Sequence, residues 1–127
     1  MVLLGGTRLS FRLLGEVLRQ PRDGVRRVLI YGAGDGGELT LRELRQNPAH
    51  RREPVGFLDD DRSKAGSRIH EVPVLGSLDG LDELLLKHRV AEIVVSSAKI
   101  PSERMRRLEA VCEARGVAIV RASVRLE

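Results

Sequence analysis

Gly32, Gly34 and Gly37 stand in G-x-G-x-x-G spacing within Gly32-Ala33-Gly34-Asp35-Gly36-Gly37, directly after the apolar run Val28-Leu29-Ile30-Tyr31. Glycine at these three positions suits a backbone that must hold a diphosphate. The first permits a tight turn off a strand. The second lets main chain approach a phosphate with no Cβ between them, and the third lets the following helix pack close to the sheet. A helix starting here adds unpaired N–H groups and the positive end of its dipole. The motif by itself is a weak signal, because a chain with 13 glycines forms such spacings by chance. The strand before it and the helix after it favour a dinucleotide-type turn over a glycine-rich turn that binds nothing. Asp35 falls beside the phosphate position, so its carboxylate is expected to point outward or to cap the helix.

Asp59 closes the run Pro54-Val55-Gly56-Phe57-Leu58. In a dinucleotide site an acid at the end of the second strand accepts hydrogen bonds from the adenosine ribose, about 20 residues beyond the glycines. The polar loop 49–53 accounts for the slightly longer spacing here. Asp60 is a second candidate, although a solvated acidic turn is the plainer reading for Asp60 and Asp61. Arg62 and Lys64 follow, and could accept a 2′-phosphate or hold the diphosphate of another ligand. Ser96 and Ser97 lie at the carboxyl end of Ile93-Val94-Val95, where open α/β sheets bind ligands. His70, in a loop near these residues, is a further candidate contact. His88 reads as a helix-end residue.

The cofactor-binding set is therefore Gly32, Ala33, Gly34, Asp35, Gly36, Gly37, Asp59, Asp60 and Ser96, with NAD as the expected ligand and NADP as an alternative. No catalytic set and no metal site emerges. Asp59, His70, Ser96, Ser97 and Lys99 form no nucleophile–base pair at a recognisable spacing. The only tyrosine, Tyr31, lies in a strand. Binding without chemistry is the expectation for this chain alone.

The elements that position these residues follow from periodicity. Residues 9–20 read as an amphipathic helix, with Phe11, Leu14 and Leu18 on one face and arginines interleaved, stopped by Gln20-Pro21. It would pack on the domain or on a second subunit as a homodimer, or lie on a membrane surface through residues 8–20. Residues 1–24 are thus a basic arm and linker, and 25–127 the folded domain. Val25–Tyr31 is a first strand, apolar on both faces as a buried parallel strand requires. A helix over 35–46 puts Gly37, Thr40, Leu41 and Leu44 on one side and ends at Asn47-Pro48. Strands follow at 54–59 and 72–75, the latter placed at an edge by Pro73. Leu78, Leu81, Leu84 and Leu85 mark a second helix, capped by Ser77 or Asp79. Residues 91–96 form another strand. Met105, Leu108, Val111 and Cys112 mark a third helix, stopped by Arg115-Gly116, and 117–122 is the last strand. The predicted fold is α/β, a Rossmann-like parallel sheet of order 3-2-1-4-5 with the amphipathic helix in front. Between the second and third strands no helix is legible.

Composition narrows the function. The chain has 127 residues, 42% apolar and 31% charged, in the range of a globular domain with one core. Its net charge of +4 sits entirely in residues 1–27, which carry six arginines against Glu16 and Asp23. The rest is neutral overall, and only Phe11, Tyr31 and Phe57 are aromatic, so neither a basic surface nor a stacking platform for nucleic acid is expected. A single cysteine, Cys112, permits no internal disulfide and reads as core filler in a cytoplasmic protein.

Four linked stretches carry a resemblance: residues 28–38 (VLIYGAGDGGE), 54–61 (PVGFLDDD), 63–66 (SKAG) and 69–76 (IHEVPVLG). In this order, over 26–122, they resemble the Rossmann-like, CoA-binding-type domain of bacterial polysaccharide-biosynthesis proteins, the nucleoside-diphosphate-sugar 4,6-dehydratases and epimerases of the capsular-polysaccharide type. The same kind of domain occurs in undecaprenyl-phosphate sugar phosphotransferases. The resemblance implies a domain that follows membrane helices and precedes a short-chain-dehydrogenase-type catalytic domain, on the cytosolic face of the inner membrane. It implies an accessory nucleotide-binding part, a fragment or a stand-alone copy. Its alternative is a regulatory or assembly module that holds CoA or a UDP-sugar.

Overall fold

The computed structural model describes residues 7–14, 24–96 and 100–126. Ten elements matter for the site: β1 (Thr7–Leu14), β2 (Arg26–Tyr31), α1 (Asp35–Gln46), β3 (Arg52–Leu58), β4 (Arg68–Ile69), β5 (Val72–Gly76), α2 (Leu81–Lys87), β6 (Glu92–Val95), α3 (Ser102–Arg115) and β7 (Ala118–Leu126). They build one sheet in the order β1-β7-β6-β2-β3-β5-β4. Its five inner strands, β5-β3-β2-β6-β7, are parallel throughout, which is the expected 3-2-1-4-5 order.

The central strands of the sheet are buried on both sides, and β2 shows why its sequence is apolar without interruption. Val28 and Ile30 face one layer with Ala33, Leu41, Leu44, Phe57 and Val74, the layer under α1. Leu29 and Tyr31 face the other, with Leu58, Leu81, Leu85, Met105, Leu108 and Cys112 under α2 and α3. Alternation along a strand sends neighbours to opposite faces, so a strand covered on both faces must be apolar at every position. Each fully buried aliphatic side chain contributes about 1.5–3 kcal/mol.

Two edge strands and one element type depart from expectation. Residues 9–14 are not helical. Residues 7–14 pair antiparallel with β7 in an eight-residue register from Thr7↔Leu126 to Leu14↔Ile119. The sequence contains the reason: Leu9, Phe11 and Leu13 alternate with Arg8, Ser10 and Arg12, a period of two as well as a helical stripe. The open edge of β7 decides between them, because a neighbouring strand satisfies its backbone donors and acceptors. Residues 15–20 of the expected helix lie outside the described residues. The pairing also carries β7 to Leu126, beyond the expected end at 122. On the other side, two-residue β4 covers β5 antiparallel, with Arg68 opposite Pro73. Among the described residues no helix is long and apolar enough to cross a membrane.

Candidate nucleotide-binding site at the carboxyl ends of the strands

β2 leads directly into the glycine loop, and the loop into α1. Gly32 has φ 111°, a conformation that L side chains rarely adopt. Gly34 is the N-cap of α1, with no side-chain cap on the first turn. A Cβ on Gly37 would lie 1.9 Å from the Gly32 carbonyl oxygen and 3.2 Å from Phe57. The third glycine is therefore what allows α1 to close on β2. Thr40, fully buried, donates to the Gly36 carbonyl at 2.8 Å and fixes the first turn from inside. Asp35 is exposed as the first residue of α1, so it points outward without capping the helix, one of the two expected arrangements.

Asp59 sits under this loop. Its Oδ2 accepts from the Ala33 N–H at 2.8 Å, and its Oδ1 accepts from the Asp61 N–H at 2.8 Å. The Lys64 ammonium stands 3.7 Å from the same Oδ2. Asp60 is not a solvated turn residue. It accepts from the Tyr31 hydroxyl and lies 3.3 Å from Arg104 Nη1. Burial, reinforced by Asp60, holds the Tyr31 phenol well above its usual range, so it stays neutral. Asp61 caps a short turn, Arg62–Lys64, accepting from the Ser63 N–H at 3.0 Å and its hydroxyl at 2.7 Å. These bonds lower the Asp61 carboxyl below its usual value.

Ser96 closes the crevice between β2 and β6, where the chain reverses its direction across the sheet. Its hydroxyl donates to the Tyr31 carbonyl at 2.9 Å, with the Gly32 carbonyl at 3.3 Å. Its own carbonyl oxygen would be 2.9 Å from a Cβ on Gly36. Ser97 and Lys99 lie outside the described residues. His70, at φ 49°, meets Glu38 on the first turn of α1 at 2.6 Å, beside the loop. His88 caps the end of α2, as expected, and its imidazole is pushed below its usual pKa by burial and then by Lys87 and Arg27. Cys112 is fully buried, and burial pushes its thiol up to about 12. Among the described residues no group of three or more His, Cys, Asp or Glu side chains could hold a metal ion.

The sequence reading brought Gly32–Gly37, Asp59, Asp60 and Ser96 to one place, and the fold does so too. It missed Arg104, whose head reaches Asp60 from the first turn of α3. It also missed Glu92, a fully buried carboxylate at the opposite end of the sheet. Neither carries a local signal, since their partners are 44 and 40 residues away in the chain.

A mostly parallel sheet with a glycine loop at its first strand–helix turn and an acid at the end of the next strand defines a Rossmann-like α/β domain of the nucleotide-binding type. More particularly, residues 1–122 match the CoA-binding domain family, and the chain belongs to it. It is 32% identical over 119 residues to a probable polysaccharide biosynthesis protein, EpsC, of Bacillus subtilis (strain 168), covering 94% of this chain and 20% of that one. It is 30% identical over 118 residues to the capsular polysaccharide biosynthesis protein CapD of Staphylococcus aureus, covering 92% of this chain and 20% of that one. The chain thus spans about one-fifth of the length of these relatives. Its fold is similar to that of UDP-D-quinovosamine 4-dehydrogenase from Vibrio fischeri, at 24% identity and a TM-score of 0.67, covering 76% of this chain and 77% of that one.

Proposed function

We propose that this chain is the accessory nucleotide-binding domain of a nucleotide-sugar epimerase or dehydratase of polysaccharide biosynthesis, acting on the cytosolic side of the membrane. The diphosphate of the ligand lies over Gly34–Gly36 at the start of α1, and its ribose hydroxyls meet the edge of Asp59. The carrying observation is the coupling of loop and acid: the Asp59 carboxylate is bonded to the Ala33 N–H, so the phosphate cradle and the ribose acceptor form one unit. NAD(H) is the ligand this pairing suits best, because a carboxylate accepts from free ribose hydroxyls and repels a 2′-phosphate. CoA is the second reading, supported by the family to which the chain belongs. Catalysis resides elsewhere in the parent enzyme. Asp60 and Ser96 support the loop from below, through the Tyr31 hydroxyl and the Tyr31 and Gly32 carbonyls.

Thermal shift with NAD, NADP, CoA and a UDP-sugar tests the reading. A ligand at 100 times its dissociation constant stabilises the fold by about 2.7 kcal/mol. NAD is expected to give the largest shift, and Asp59→Ala to weaken it by about 1–3 kcal/mol, the range for losing hydrogen bonds to a charged acceptor. No shift with any of the four ligands overturns the proposal. So does sustained turnover of NAD and a UDP-sugar by the chain alone.

A further inference from the structure

The glycine loop carries an electrostatic problem that its motif does not reveal. Asp35 opens α1, and Asp59 lies directly under Ala33. Asp59 thus puts a carboxylate next to the place where a phosphate is to sit, the exposed Asp35 adds like charge from the solvent side, and like charges oppose binding even at a helix N-terminus. A cation is needed at the loop itself. Of the nearby basic side chains, Arg62 reaches toward Asp79 at 4.0 Å and His70 is engaged by Glu38. Lys64 is placed differently. A Cβ built on Gly34 would have the Lys64 ammonium at 4.0 Å, the nearest described atom beyond the adjoining stretch of chain. The ammonium thus stands over the one residue whose missing side chain opens the loop to a ligand.

Its position is fixed from behind. The turn that carries Lys64 is held by the Asp61 cap, by Lys64 N–H to the Asp61 carbonyl at 3.0 Å, and by Ser67 N–H to the Lys64 carbonyl at 3.0 Å. Its head is free to move: the side chain is 40% exposed, and its ion pair with Asp59 is long at 3.7 Å. We infer that Lys64 is the phosphate-gripping residue of this site. Without ligand it neutralises Asp59. With ligand its ammonium turns to the diphosphate over Gly34, while Asp59 keeps the Ala33 and Asp61 N–H bonds that hold the loop. The ligand class is therefore defined by its diphosphate more than by its base, and a nucleoside lacking phosphate gains nothing from Lys64. This rests on the glycine loop being the ligand site proposed above.

Calorimetric titration with inorganic pyrophosphate, ADP and adenosine, on the wild type, Lys64→Ala and Lys64→Arg, tests it. Lys64→Ala is expected to weaken pyrophosphate and ADP at least about 10-fold, as for a lost charge-assisted hydrogen bond. Adenosine affinity should not change, and Lys64→Arg should keep most of the ADP affinity. Equal losses for adenosine and ADP, undiminished pyrophosphate and ADP binding in Lys64→Ala, or a wild type that binds neither anion overturns the assignment. A wild type that binds pyrophosphate through Lys64 but no nucleotide leaves Lys64 in place and removes the nucleotide reading instead.

Discussion

Tyr31 is the chain's only tyrosine, so its proton reports on one place, the end of β2 beneath the glycine loop. The side chain is 2% exposed and donates to Asp60. Ionising it would put a second negative charge beside that carboxylate in a desolvated site, and both effects raise its pKa, burial most. A free tyrosine ionises near pH 10. The native protein is expected to develop no tyrosinate absorbance as the pH passes that value, while the protein in denaturant does. The corresponding stability is fully present below about pH 10 and is lost as the pH climbs toward the native pKa. Asp60→Asn should bring the native titration down without restoring the free value, since burial remains. A native titration at the free value would mean that Tyr31 is open to water.

At the level of elements, α1 and β2 meet through Gly37, and the contact is backbone against backbone. A methyl group there would face the Gly32 oxygen at 1.9 Å and its carbonyl carbon at 2.9 Å, and main-chain atoms cannot rotate away. Gly37→Ala is expected to cost at least about 1–3 kcal/mol, as overpacking does. Gly80, with nothing within 4 Å of its would-be Cβ, supplies the control. Gly80→Ala should stay within about 0.5 kcal/mol of wild type in a urea titration. This junction was legible in the sequence, and α1 has the expected bounds, Asp35–Gln46, with Gly37, Thr40, Leu41 and Leu44 buried. Local patterns specify such elements because each has one partner layer and one period. β1 was not legible. Its residues fit both a period of two and a helical stripe, and the choice is made by β7, more than a hundred residues away. Asp59 was legible as an acid at a strand end. Its hydrogen bond to Ala33 was not, because strand register sets it.

For the molecule as a whole, the two ends of the parallel sheet hold separate clusters of charge. The carboxyl ends hold the glycine loop, Asp59 and Lys64. The amino ends hold Glu92, fully buried at the start of β6, which pairs with Arg52 at the start of β3 and with Arg26 of β2 at 3.5 Å. One carboxylate thereby ties three adjacent strands together, and Arg52 is itself only 12% exposed. Removing one member of a buried ion pair leaves the other desolvated without compensation, typically at a cost of 3–5 kcal/mol. Domains of this kind hold only about 5–15 kcal/mol in total. Glu92→Ala is therefore expected to lower the melting temperature by roughly 10 °C or more. Glu92→Gln, which retains an acceptor for Arg52, should lose less. Below the new transition, pyrophosphate affinity should equal that of the wild type, because Glu92 touches neither the loop nor Lys64. A fall in affinity as large as that of Lys64→Ala, measured in folded Glu92→Gln, would show that the two ends of the sheet are coupled.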